Sequence, residues 1–205
     1  MGTRYLYVVF SATPYKMGRA IRILTGEPYN HVSVCLNETL EPMYGFARRF
    51  RRTPFYGGFV KESLSRYHIN GKASKICVCR LEISQESYDC VSKRLEDMTE
   101  HQQQYLYNHL SAIMAPLHKT VKVRDSYLCV EFVIDILRSV GFKVSADQYY
   151  TVGKLEQLLQ PYRIYTGIIP EAKEYDAAYF DDRPLPHPIL TSWWSFFALF
   201  RRLKL

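Results

Sequence analysis

Two residues of this 205-residue chain suggest a specific chemistry. Cys129 lies in Ser126-Tyr-Leu-Cys-Val-Glu-Phe-Val-Ile-Asp-Ile-Leu-Arg-Ser-Val-Gly141, where the apolar spacing predicts a helix. Asp125 or Ser126 is placed to cap that helix, and Gly141 to stop it. A thiol in the first turn sits near the positive end of the helix dipole, which favours the nucleophilic thiolate. Far upstream, His31 heads the predicted strand in Tyr29-Asn-His-Val-Ser-Val-Cys-Leu36. An imidazole that ionises a thiol and then protonates a leaving group supports acyl transfer through a covalent acyl-enzyme.

Cys129 also has a plainer role open to it. Phe132, Val133, Ile136, Leu137 and Val140 follow at i+3, i+4, i+7, i+8 and i+11, so the thiol lies on the buried stripe. Free cysteines are commonly small core hydrophobes. The histidine context raises the catalytic reading, because the other histidines (68, 101, 109, 118 and 187) fall in irregular segments or on and after a long predicted helix.

A third group must orient the imidazole. Glu41 is the acidic side chain on the predicted return strand after His31. With the Asn37–Thr39 turn centred on Glu38, position 41 opposes Cys35 and shares the face of His31. A register shift of one residue turns it away. Ser33, Tyr44 or a backbone carbonyl are alternatives, and a solvated surface role is equally open to Glu41. Glu131 is read as helix support; Tyr127 and Asn30, beside the pair, are placed to line the oxyanion site or steer His31, with packing or turn formation favoured for each.

The elements that must position these groups follow from periodicity. Strands are expected over residues 5–10, 31–36, 40–47, 74–83 and 162–169, and short helices over 15–24 and 152–159. One long helix is expected from Ser84 to Met114, ending before Pro116. Residues 50–70, aromatic, basic and glycine-containing, read as an irregular segment overhanging a cleft. Residues 170–188 are acidic and proline-bearing, like a linker. The tail, 189–205, reads as an amphipathic helix carrying Trp193, Trp194 and Phe197 and ending in Arg201, Arg202 and Lys204. It is suited either to peripheral membrane contact or to docking on its own domain or a partner.

Composition narrows the classes. A chain that is 47% hydrophobic and 23% charged is suited to folding around a core rather than to disorder. The formal charge of +7 is concentrated at Arg48, Arg49, Arg51 and Arg52 and at the C-terminus. No nucleic-acid motif accompanies those clusters, so nucleic acid ranks low as a partner. Five cysteines at 35, 77, 79, 90 and 129 show no metal-ligand spacing, which predicts reduced thiols and no metal or other cofactor. The first residues have no signal-peptide layout, so cytoplasmic residence, with peripheral membrane contact as an option, is the expectation.

The motifs Asn30-His-Val-Ser-Val34 and Cys129-Val-Glu-Phe-Val133, in that order, resemble the circularly permuted NlpC-like, papain-like superfamily. That superfamily includes YiiX-like proteins and the lecithin:retinol acyltransferase group. The stretches Met43–Arg48 and Phe55–Val60 are similar to segments of its bacterial members, and the resemblance spans roughly residues 4–169. It implies an α+β fold with a central antiparallel sheet, and a catalytic domain over residues 1–169. It also implies a cysteine-dependent hydrolase or acyltransferase acting on an amide, ester or thioester; peptidoglycan cleavage is common among such relatives, but the missing export signal favours a cytoplasmic amide or a lipid-derived acyl group as substrate. The departure lies in the third residue: the acyltransferase group carries a second histidine on the next strand, and residues 39–47 contain none. A catalytically inactive papain-like binding or membrane-associated module is the competing reading.

Overall fold

Alternation of apolar side chains with period two builds a sheet that is buried on both faces. The computed structural model describes residues 3–50, 53, 55–69, 72–145, 148–170 and 187–203. In chain order the elements are β1 (Arg4–Ser11), α1 (Lys16–Thr25), β2 (His31–Cys35), β3 (Met43–Arg48) and β4 (Gly57–Glu62). A 3-10 turn (Leu64–Tyr67) and the small hairpin β5 (His68–Ile69) and β6 (Lys72–Ala73) lead into β7 (Lys75–Ile83) and α2 (Gln85–Glu100). Then come β8 (Leu106–Tyr107), α3 (His109–Met114), β9 (Ser126–Tyr127), α4 (Cys129–Ser139), α5 (Val152–Leu158), β10 (Arg163–Ile168) and α6 (Pro188–Arg202). The main sheet is six-stranded and antiparallel throughout, in the order β10-β7-β1-β2-β3-β4, so the fold is α+β.

One face of the sheet carries Leu6, Val8, Phe10, Val32, Val34, Phe46 and Phe59 against α2 and α4. From α2 come Val91, Leu95 and Met98; from α4 come Phe132, Val133, Ile136 and Leu137. Both helices owe their seat to an apolar stripe of helical period meeting a strand face. The opposite face carries Tyr7, Val9, Cys35 and Met43, covered by Leu64 and Tyr67 of the 3-10 turn and by Leu40 and Ile169.

Three expectations are corrected. The predicted helix from Ser84 to Met114 ends at Glu100, and a separate α3 begins at His109. The break is fixed by Asn108, whose side chain caps α3 by accepting the Ser111 N–H at 3.0 Å. Arg49 supports it by donating to the carbonyls of Gln102 and Tyr105. Residues 50–70, read as irregular, contain the edge strand β4. The cap of α4 is neither Asp125 nor Ser126: Leu128 holds that position, and the Glu131 carboxylate accepts the Leu128 N–H at 2.7 Å.

The linker reading of residues 170–188 falls largely outside the described residues. The C-terminal helix forms as expected, between Pro188 and Arg202. No helix among the described residues is long and apolar enough to cross a membrane.

Candidate functional site

His31 is the first residue of β2, where the strand emerges from a turn built by Asn30. The Asn30 Oδ1 accepts from the Thr13 N–H at 3.0 Å and from Arg22 Nη1, while its Nδ2 donates to Thr13 Oγ1 at 2.8 Å. Asn30 therefore shapes the entry to the strand. Antiparallel pairing sets Ser11 of β1 opposite His31, and that serine hydroxyl is buried without a hydrogen-bond partner.

The imidazole meets a carboxylate, but not the expected one. Both oxygens of Glu62 lie 3.0 Å from His31 Nε2. Glu62 ends β4 and is completely buried. It is held from four sides: by His31, by Arg66 Nη1 at 2.9 Å, by the Ser33 hydroxyl donating at 2.6 Å, and by the Tyr67 hydroxyl. Ser33 Oγ also lies 3.1 Å from His31 Nε2. Gly45 makes room for that serine, since a Cβ there would stand 3.2 Å from its oxygen.

These contacts decide protonation. Burial works against a charged imidazole, but the charge of Glu62, hydrogen bonding to Cys129 and hydrogen bonding to Glu62 outweigh it and hold His31 up at about 9. Burial alone would raise Glu62, yet His31, Arg66 and Ser33 pull its carboxyl well below the ordinary range. Tyr67 is driven up, first by burial and then by the Glu62 charge. The raised imidazole and the lowered carboxyl favour the charged forms, an imidazolium and a guanidinium sharing one carboxylate.

Cys129 is the first residue of α4, near enough to the His31 ring to help raise the pKa of the imidazole. Val32 and Val34 face α4, whereas Ser33 and Cys35 point to the other side of the sheet. Standing at the end of the strand, His31 reaches both Glu62 behind the sheet and the thiol at the helix start. Each of the pair is 6% exposed. With Nε2 engaged by Glu62, Nδ1 is the ring nitrogen left for sulfur. Tyr107 of β8 is a further neighbour: its phenol is raised by burial and then by the charges of Cys129 and Glu131. Parallel pairing of β8 with β9 sets Tyr107 opposite Tyr127, two residues before the cysteine.

Comparison with protein-family models, with curated proteins and with solved structures finds no match to this chain. The case for chemistry therefore rests on the geometry of these side chains.

Of the residues expected from sequence, the fold sets Cys129 at the start of α4 and His31 at the start of β2, near enough for the thiol to help raise the imidazole. Glu41 is displaced from the site. The register pairs Cys35 with Met43, not with position 41, so Glu41 precedes β3. Its carboxylate accepts the Leu64 N–H at 2.9 Å and so anchors the 3-10 turn. Ser33, an alternative for the third role, joins the site through Glu62, whereas Tyr44 stacks on Phe59 on the other face. Tyr127 packs against Phe46 and Phe132, and Glu131 supports the start of α4.

Glu62, Arg66 and Tyr67 escaped the sequence reading because Val60-Lys-Glu-Ser-Leu-Ser-Arg-Tyr67 resembles a solvated charged loop. The available signal was Phe59-Val60 after two glycines: a strand there places Val60 and Glu62 on one face. All five cysteines are free thiols. Cys35 is pushed up to about 11 by burial, and Cys77 and Cys79 are fully buried on the α4 side of the sheet.

Proposed function

We propose that the chain is a cysteine-dependent hydrolase or acyltransferase of permuted papain-like build, acting on an amide, ester or thioester. The observation that supports this reading is the fully buried carboxylate of Glu62 on His31 Nε2, with a helix-start thiol near enough to raise the same imidazole. Cys129 sulfur attacks the substrate carbonyl and forms a covalent acyl-enzyme. His31 supplies the positive charge that a thiolate needs and gives its proton to the departing amine, alcohol or thiol. Glu62 keeps a proton on Nε2 and turns Nδ1 toward the sulfur, as the third member of a nucleophile–base–orienter set does.

The Cys129 N–H is one of the amides that a helix start leaves without an intrahelical partner, and it is the donor suited to the oxyanion. Water or an acceptor amine, deprotonated by His31, then releases the acyl group.

A second reading is a papain-like binding module without turnover, which the near-complete burial of the thiol favours. Mass spectrometry after acid quench separates the two. Short-chain acyl thioesters, activated esters and anilides should leave an acyl adduct on Cys129 that is absent in Cys129→Ala and strongly reduced in His31→Ala. No adduct and no turnover with any of the three classes would favour the binding module.

A further inference from the structure

We propose that α6 docks this protein on an anionic lipid surface, lying in the plane of the interface. The helix is held to the body along one side. Leu199 packs with Leu106 and Val123, and Phe196 contacts the rings of Phe55 and His109. Arg202 Nη1 donates to the Gln104 carbonyl at 2.8 Å. These positions recur every three residues along one side of the helix, so the opposite side has its own stripe. That second stripe comprises Ile189, Leu190, Trp193, Trp194, Phe197 and Phe200, each more than half exposed. Soluble surfaces scatter such residues singly; six along one docked helix form a contiguous apolar patch.

The identity of the side chains and the charges around them point to lipid. Tryptophan and phenylalanine are suited to headgroup depth, where the ring is half solvated. Between Pro188 and Arg202 the helix has no acidic residue, and Arg201 is exposed at its end. Lys122 and Arg124 are exposed on the segment whose Val121 and Val123 pack beneath α6. The neighbouring carboxylate, Asp125, offsets Arg124 at 3.6 Å, so the charge of the rim comes from Lys122 and Arg201. Basic side chains at the C-terminal end of an apolar stripe complement anionic headgroups, whereas the same charges on a second copy of the chain would repel it. At 15 residues, α6 suits an in-plane helix.

The chain contains two tryptophans, and both lie on this stripe, so selectively excited tryptophan emission reports on α6 alone. Full-length protein should float with phosphatidylcholine vesicles containing phosphatidylglycerol, with a blue-shifted emission quenched by brominated acyl chains. Pure phosphatidylcholine should bind at least about tenfold more weakly, and added salt should reduce the difference. W193S/W194S/F197S, at exposed positions and checked for native circular dichroism, should abolish flotation. C129A should float unchanged, so a failed catalytic reading leaves this result standing. No emission shift in the unaltered protein, or binding indifferent to headgroup charge, would overturn the proposal. A concentration-dependent dimer that is lost in W193S/W194S/F197S, without vesicle binding, would overturn it in favour of self-association.

Discussion

The two faces of β2 are held by opposite kinds of interaction. Val32 and Val34 enter an apolar layer with Phe46, Phe59, Phe132 and Ile136, where attraction is non-directional and shared among many contacts. His31 and Ser33 enter a closed polar set around Glu62, where each group satisfies a specific neighbour. The apolar layer tolerates a change of shape in proportion to the volume lost. The polar set does not, because removing one member leaves a buried charge without its counter-charge.

Substitutions sharpen this contrast, the largest effect coming from the polar face. Glu62→Gln keeps the volume but strands Arg66 and His31, and should cost about 3–5 kcal/mol in urea unfolding. It should also abolish acylation of Cys129. Retained stability and retained acylation would break the comparison. On the apolar face Phe132→Ala should cost about 3–5 kcal/mol through a cavity, whereas Phe132→Leu should cost less than about 1.5 kcal/mol. A graded response there, against an abrupt one at Glu62, is the expected pattern.

Dependence on pH separates the regions next. His31 has a folded pKa of about 9, above its ordinary 6.5. Its contribution to stability is therefore complete below about 6.5 and is lost as pH rises toward 9. Acylation should decline over the same upper limb, as the imidazolium loses its proton. His109, beneath α6, runs the other way: burial lowers it to about 4 despite a hydrogen bond to the Phe55 backbone. Its contribution is present above about 6.5 and lost as pH falls toward 4. Urea titrations of His31→Ala and His109→Phe across this range should flatten opposite limbs of the profile. The smallest effect is expected at Glu41, where Glu41→Gln keeps an acceptor for the Leu64 N–H and should change acylation less than about twofold.

The sequence made legible those parts that depend on local periodicity. The strands carrying His31 and Val78, and the helix opening at Cys129, were readable because one buried face imposes period two or period 3.6. Pairing across the sheet was not readable to the residue. The turn after Cys35 is longer than its polar residues suggested, so β3 starts at Met43 and Glu41 never reaches the ring.

Edge strand β4 was hidden because its glycines look like loop residues. Gly58 is instead required by close approach, since a Cβ there would overlap the Tyr105 carbonyl. Glu62 was hidden for a further reason. A carboxylate flanked by lysine and serine looks solvated unless the partners that bury it, Arg66, Tyr67 and a histidine thirty-one residues away, are already placed.

The most direct measurement is the alkylation rate of each cysteine by iodoacetamide against pH, resolved by mass spectrometry, in the wild type and in His31→Ala. The account predicts that near pH 6 Cys129 reacts faster than the exposed Cys90, and that His31→Ala brings it down to the level of a buried, inert thiol. A Cys129 as slow as Cys35 at every pH, and indifferent to His31→Ala, would contradict the claim that these two residues form a working pair.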